Sequence, residues 1–136
     1  MDNVFQKIIN KELPADIVYE DEAIIAFLDI NPVNPGHTLI VPKKDVVNIS
    51  DADPETLKRM IVISQKIAAA VMKALDYPAF NLMSNNGSQA GQIVPHLHWH
   101  IVPRKEGDGL KHWPGTAYKE GVSQEIAQKI KSQLDG

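Results

Sequence analysis

Between residues 96 and 101 histidine and apolar side chains alternate without a break, His96-Leu97-His98-Trp99-His100-Ile101. Period two is the repeat of an extended strand, in which successive side chains point to opposite faces. The run therefore predicts a strand over 94–102, with three imidazoles in a row on one face and Leu97, Trp99 and Ile101 packed into a core. At strand rise, neighbouring imidazoles would lie about 6.5–7 Å apart and the outer pair about 13 Å apart. The row sits in a stretch, Tyr77 to Pro103, of 27 residues that contains no Asp, Glu, Lys or Arg, although 23% of the chain is charged. Histidine is the group there that titrates near neutral pH.

Three readings compete for such a row. A His-x-His pair on a strand is a frequent half-site for zinc or iron. Three in register are too widely spaced for one coordination sphere of about 2.1 Å radius, and the stretch offers no carboxylate or thiolate to complete it. The second reading is that the histidines are ordinary strand residues, satisfied by solvent or neighbours. The third is phosphoryl chemistry: neutral imidazole is a nitrogen nucleophile toward phosphorus, and neighbouring rings donate hydrogen bonds to phosphate oxygens. The preceding segment, Asn85-Asn86-Gly87-Ser88-Gln89-Ala90-Gly91-Gln92, favours the third, because side-chain amides and glycine-rich backbone can aim N–H groups at an anion.

The rest of the chain reads as α+β. Val4, Phe5, Ile8 and Ile9 fall at 3–4 spacing and predict a short helix over Val4 to Lys11. Ile17 to Tyr19 and Ala23 to Leu28, with acidic residues between, predict a hairpin. Asn31 to Gly36 is a turn, and His37 to Val41 a strand stopped by Pro42. Asp53-Pro54-Glu55 starts a helix, with Asp as cap and Pro in the first turn. Leu57, Met60, Ile61, Ser64, Ile67, Ala68, Val71 and Leu75 then follow one face over five turns, to a stop at Tyr77-Pro78. Ala79 to Ser84 is a strand, and Val122 to Leu134 a C-terminal helix. The expected sheet is antiparallel and covered by the long helix, with a mixed sheet left open by the long connection between its third and fourth strands.

Composition narrows the function classes. A net charge of −3 excludes a nucleic-acid binder working by bulk positive charge. Cysteine is absent, so disulfides, a thiol nucleophile and cysteine-ligated zinc are excluded. The start lacks the charged and apolar regions of a secretion signal, and no apolar run approaches the ~20 residues of a membrane span. The expectation is a single domain over 1–136 in a soluble, cytoplasmic protein with neither a nucleic acid nor a membrane as partner.

Four ordered blocks carry a family resemblance. Asn85-x4-Ala90-Gly91-Gln92-x-Val94-x-His96-Leu97-His98-Trp99-His100-Ile101-Val102-Pro103 resembles the signature of the histidine triad (HIT) superfamily. Val4 to Ile9 with Lys11 to Ala15, Phe27 to Pro32, and Pro35 to Lys44 resemble segments of its Hint-like and bacterial branch. The similarity spans roughly residues 3–105, leaving 106–136 as an extension. It implies a five-stranded antiparallel sheet with a long helix and a short N-terminal helix, continued across a homodimer. It also implies a hydrolase for a purine nucleoside phosphoramidate or related adenylated compound. A dinucleoside polyphosphate hydrolase, or a nucleotide-binding regulatory module with weak turnover, is the alternative.

In that resemblance the middle histidine, His98, attacks the α-phosphorus and carries the nucleotide. His100 contacts phosphate, while His96 and His37 support the site. Gln92 matches a residue near the leaving group, Asn85 one near phosphate or ribose, and Gly91 belongs to the same loop signature. Asp29 matches a ribose-binding acid, and Phe5, Ile8, Phe27 and Ile30 match an apolar base pocket. No cofactor or metal is implied for the reaction. Ile93 stands where Ser or Thr is common, removing a hydrogen bond to phosphate or leaving group. Trp99 replaces a smaller residue and needs a partner for its indole N–H. Bacterial relatives bind structural zinc at positions that here read Asn3, Gln6 and Asp45. His112-Trp113-Pro114 resembles a C-terminal segment that reaches the partner subunit's site.

Overall fold

A computed structural model describes residues 2–134. Helix α1 (Val4–Ile9) is capped by Asn3, whose side chain accepts from the Gln6 N–H while the Gln6 side chain accepts from the Asn3 N–H. Two strands, β1 (Ile17–Glu20) and β2 (Ile24–Leu28), form the expected hairpin, and β3 (Thr38–Pro42) follows. Helix α2 (Pro54–Leu75) starts at Asp53, which accepts from the Thr56 N–H, and ends where Asp76 turns left-handed. Strands β4 (Ala79–Ser84) and β5 (Trp99–Arg104) complete the sheet, and α3 (Val122–Leu134) ends the chain.

The strands order as β1-β2-β3-β5-β4 and every pair is antiparallel, which closes the question of a mixed sheet. One face packs on α2: Ile24, Ala26, Ile40, Trp99 and Ile101 meet Met60, Ile67 and Ala68. The helical face is as expected except at its rim, where Ile61 and Leu75 stay about half exposed. The opposite face carries Ile25, Phe27, Leu39 and Val41 under Phe5 and Ile8 of α1. Gly36 joins the β2–β3 turn to the end of α2; its φ is +95°, and a Cβ there would sit 2.5 Å from Leu75 Cδ1.

Three strand boundaries near the site differ from expectation: the ends of β3 and β5 and the start of β5. Neither proline stops its strand. The Pro103 carbonyl accepts from Asn34 Nδ2 at 2.8 Å, on the side where β3 has already ended, so its missing N–H costs no ladder bond. The Pro42 carbonyl accepts from His96 Nε2 at 2.8 Å, beyond the last β3–β5 pair at Ile40 and Trp99. The β5 strand also begins five residues later than the alternation predicts. The Leu97 N–H goes to the Val46 carbonyl rather than to a strand partner, and the His96 ring stands in for the next rung on Pro42. His96 and His98 thus precede the strand, and only His100 lies within it.

Candidate active site

Hydrogen-bond partners fix the tautomer of each imidazole. His98 Nδ1 lies 2.7 Å from the His96 carbonyl oxygen, which can only accept, so Nδ1 carries the proton and the Nε2 lone pair is free. His96 Nε2 donates to the Pro42 carbonyl. His37 Nδ1 accepts from the Val33 N–H at 3.1 Å, so the proton of neutral His37 sits on Nε2 and is donated to His100 Nδ1 at 2.9 Å. His100 therefore carries its own proton on Nε2, a buried atom without a protein partner. The result is an ordered relay: Val33 orients His37 and His37 orients His100, whose ring, protonated on Nε2, neighbours that of His98.

The rings are closer than a regular strand would hold them. The His98 and His100 centroids lie 5.0 Å apart, against the 6.5–7 Å expected. His98 precedes the strand, so its ring is not bound to strand spacing. Phe5 packs edge-on against His98 at 4.8 Å and against Phe27 at 5.6 Å. His96 is fully buried and His37 nearly so.

Burial sets the charge states. It pushes His98 below the usual imidazole range, and the nearby His96 adds to this, against the His96 carbonyl, which favours the protonated ring. Burial, followed by the proximity of His98 and His37, lowers His100 to about 4. Burial also lowers His37, partly offset by the Asp29 carboxylate. His98 and His100 are therefore neutral at pH 7, one as a nucleophile and one as a hydrogen-bond donor.

A cavity of about 410 Å³ opens over these rings, within the size range of small-ligand sites. Of the residues singled out from sequence, Phe5, Asp29, Asn85, Gly91, Ile93, His98 and His100 line it. Leu39, Asn31 and Val94 line it too and were not singled out. Leu39 could have been, since it lies two residues after His37 and shares its face by the same period-two argument. Ile8 and Phe27 lie behind the lining in the core with Phe5, and Ile30 is 86% exposed outside it.

The loop before β5 is held by its own bonds. Gln92 Oε1 accepts from the Gly87 N–H, and Nε2 donates to the carbonyls of Val47 and Val94, so this side chain clips the loop rather than lining the cavity. The N–H groups of Ala90, Gly91 and Gln92 are likewise taken by loop carbonyls. Gly91 adopts φ +92°, which lets the chain turn next to Asn85. Trp99 is buried as expected, but its indole N–H has no protein partner.

The donor atoms of Asp29, His37 and His100 all lie within 4.8 Å of one another. They do not fit a metal in this arrangement, because a metal at His37 Nε2 would need the proton moved to Nδ1, against the Val33 N–H. At Asn3, Gln6 and Asp45, Gln6 Nε2 donates to Asp45 Oδ1 at 2.7 Å while its Oε1 accepts from the Asn3 N–H. These residues form a hydrogen-bonded clip between α1 and the segment after β3.

No helix among the described residues is long and apolar enough to cross a membrane. A family model described as HIT domain matches residues 10–107. An uncharacterized HIT-like protein of Methanocaldococcus jannaschii is 50% identical over 106 residues, which are 78% of this chain and 81% of that protein. Adenylylsulfatase HINT3 of Arabidopsis thaliana is 42% identical over 109 residues, 80% of this chain and 55% of the plant protein. The crystal structure of a histidine triad nucleotide-binding protein from Candida albicans superposes with a TM-score of 0.87 at 29% identity, covering 98% of each chain.

Proposed function

The chain belongs to the HIT family, and from that premise we propose that it is a hydrolase acting on the α-phosphorus of a purine nucleoside phosphoramidate or a related adenylated compound. The observation that carries the proposal is the 2.7 Å bond from His98 Nδ1 to the His96 carbonyl, which leaves an unprotonated nitrogen at the cavity. His98 Nε2 attacks phosphorus and forms an N–P bond as the P–N bond to the leaving group breaks. The departing amine takes a proton from solvent. Water then displaces His98 from phosphorus, releasing the nucleoside monophosphate. His100 donates its Nε2–H to a phosphate oxygen, with His37 holding the ring in place.

The cavity lining supports the assignment of parts. Phe5, Leu39 and Val94 give an apolar wall for a base, and Asp29 offers acceptors for ribose hydroxyls. Asn85 and Gly91 line the same cavity, and this reading sets Asn85 near the phosphate or ribose. Ile93 supplies no hydroxyl there and Gln92 is held in the loop, so the leaving group depends on other residues. The reaction needs no metal or cofactor, and the reading places the protein in the cytoplasm with its nucleotide substrates.

The proposal includes a homodimer. Strand β4 is an open sheet edge, and Phe80 and Leu82 on it form an exposed apolar patch with Ile61 and Val62 of α2. Two copies paired along β4 would cover both patches and continue the sheet.

Turnover of an adenosine phosphoramidate with excess chelator tests the reading. Hydrolysis to AMP that survives chelation and disappears in His98→Ala supports it. Nucleotide binding without turnover across phosphoramidates, adenylyl sulfate and dinucleoside polyphosphates would instead favour a binding module. Turnover of the dinucleoside polyphosphate alone would favour that alternative.

A further inference from the structure

Residues 45–49, between β3 and α2, take no part in the lining of the cavity, yet they bond to the separate pieces of chain that surround His98. Asp45 Oδ1 accepts from Gln6 Nε2 at 2.7 Å, and Gln6 follows Phe5, whose ring packs on His98. The Val46 carbonyl accepts from the Leu97 N–H at 2.8 Å, between His96 and His98. The Val47 carbonyl accepts from Gln92 Nε2 at 2.6 Å. The Ile49 N–H donates to Asn86 Oδ1 at 2.8 Å, and Asn86 Nδ2 donates to Ser84 Oγ at the end of β4. Asn86 follows Asn85 and Gln92 follows Gly91, two residues that line the cavity.

The segment is itself fixed on both sides. Before it, the Lys43 N–H donates to the Ala23 carbonyl beside β2. At its far end, Asn48 caps the turn Ile49–Asp51: its side chain accepts from the Ser50 N–H, while the Asp51 carboxylate accepts from the Asn48 N–H. Val46 packs against the core under α2. The Val47 and Ile49 side chains are exposed, so these two residues act through their backbone. Helix α1, the bend before β5 and the loop over residues 86–92 therefore share one rigid reference outside the cavity.

We propose that residues 45–49 are a brace that sets the reacting geometry from outside the cavity, with Asp45 and Asn86 as its positioning residues. Asp45 acts through Gln6 and Phe5 on the His98 ring. Asn86 acts through the loop on Asn85 and Gly91. A reacting geometry depends on such outer bonds, because a side chain held by them keeps its place while the substrate moves. The effect on rate rests on the hydrolase reading above, whereas the effect on the His98 ring rests on the geometry alone.

The test titrates the His98 ring by NMR in the wild type, Asp45→Ala, Asp45→Asn and Gln6→Ala, with His98→Ala to assign its signals. Burial holds His98 below the ordinary imidazole range. His96 and Asp29 act on its charge, and His37 and His100 feel it in turn; the three variants leave all four groups in place. Losing the Gln6–Asp45 bond loosens Phe5 and lets water reach the ring, which moves the His98 midpoint up. Losing the Asp45 charge alone moves it down. The proposal therefore expects a rise in Asp45→Ala and in Gln6→Ala, and none in Asp45→Asn, whose amide oxygen still accepts from Gln6. In parallel, hydrolysis of an adenosine phosphoramidate is followed in Asn86→Ala. There kcat should fall severalfold with KM within about twofold, because the substrate keeps Phe5, Leu39 and Asp29 while its phosphate loses alignment with His98. A wild type without turnover faults the hydrolase reading and leaves the titration to decide the brace. An unshifted or lowered His98 midpoint in Asp45→Ala, an equal rise in Asp45→Asn, or an unchanged kcat in Asn86→Ala beside an active wild type would overturn it.

Discussion

The His98 ring is held between the His96 carbonyl, 2.7 Å from Nδ1, and the Phe5 ring, 4.8 Å away between centroids. The first contact fixes which nitrogen is free. The second, with the surrounding burial, lowers that nitrogen's affinity for protons. Both originate outside β5, in the bend that precedes it and in the N-terminal helix.

The pH profile follows from that burial. Attack requires neutral His98, whose pKa lies below the ordinary imidazole value of 6.5. The acidic limb of kcat/KM should therefore have its midpoint below 6.5, with full activity at pH 7. Steady-state rates from pH 4 to 8 check this, and a midpoint above 6.5 would contradict the burial argument.

Stability should share the same sign. His37, His98 and His100 all have folded pKa values below the unfolded value of 6.5, His100 at about 4. The unfolded chain then binds more protons, so these groups leave stability intact above 6.5 and remove it as pH falls from there toward 4. Denaturant midpoints at pH 7 and pH 5 should differ, the acidic one being lower. Replacing His100 with Asn should shrink the difference.

Phe5 links α1 to the nucleophile. Its ring is 6% exposed and packs on Phe27 and His98. Phe5→Ala should cost about 3–5 kcal/mol of stability and raise the midpoint of the acidic limb as water reaches His98. Phe5→Leu should keep most of the stability while showing a smaller shift. Thermal melts and pH–rate profiles on both variants separate the two effects.

Gly36 is required by backbone more than by space. The nearest atom a Cβ would meet is the end of the half-exposed Leu75 side chain, which can rotate away, and Val71 Cγ1 at 3.3 Å has to give by only a few tenths of an ångström, but φ +95° cannot be relieved. Gly36→Ala should destabilise by about 1–2 kcal/mol, and adding Leu75→Ala should not restore the loss. Urea denaturation of the single and double variants measures it.

Leu82→Asp should separate the proposed dimer, since it puts a charge into the apolar patch on the open β4 edge. Sedimentation velocity should show a dimer for the wild type and a monomer for the variant. A wild-type monomer at micromolar concentration would remove the sheet-continuation reading.

Much of the fold was legible because local signals agreed. Asp53-Pro54 marks the start of α2, and apolar runs broken by acidic and turn residues mark β1 to β3. Ala79–Ser84 and Val122–Leu134 appear with the bounds the sequence predicts. The misread element was the one with the strongest pattern. Period two across residues 96–101 predicts strand throughout, yet Leu97 bonds Val46 and His96 caps Pro42, contacts 51 and 54 positions away that no local pattern carries. The alternation still reports the packing correctly, because Leu97, Trp99 and Ile101 all enter the core. The His37–His100 bond is equally non-local, spanning 63 positions, so sequence spacing could place His37 near the site only through the family resemblance. Ile30 was matched to a base pocket but lies 86% exposed, whereas Leu39, two positions beyond His37, lines the cavity.

The most direct measurement is chemical trapping during turnover. An adenosine phosphoramidate labelled in the nucleotide is mixed with protein, quenched rapidly under alkaline denaturing conditions that preserve an N–P bond, and digested for peptide mapping. The account predicts label on the peptide containing His98, absent in His98→Ala and retained in His100→Asn. Hydrolysis at an undiminished rate in His98→Ala, or label on another residue, would contradict it.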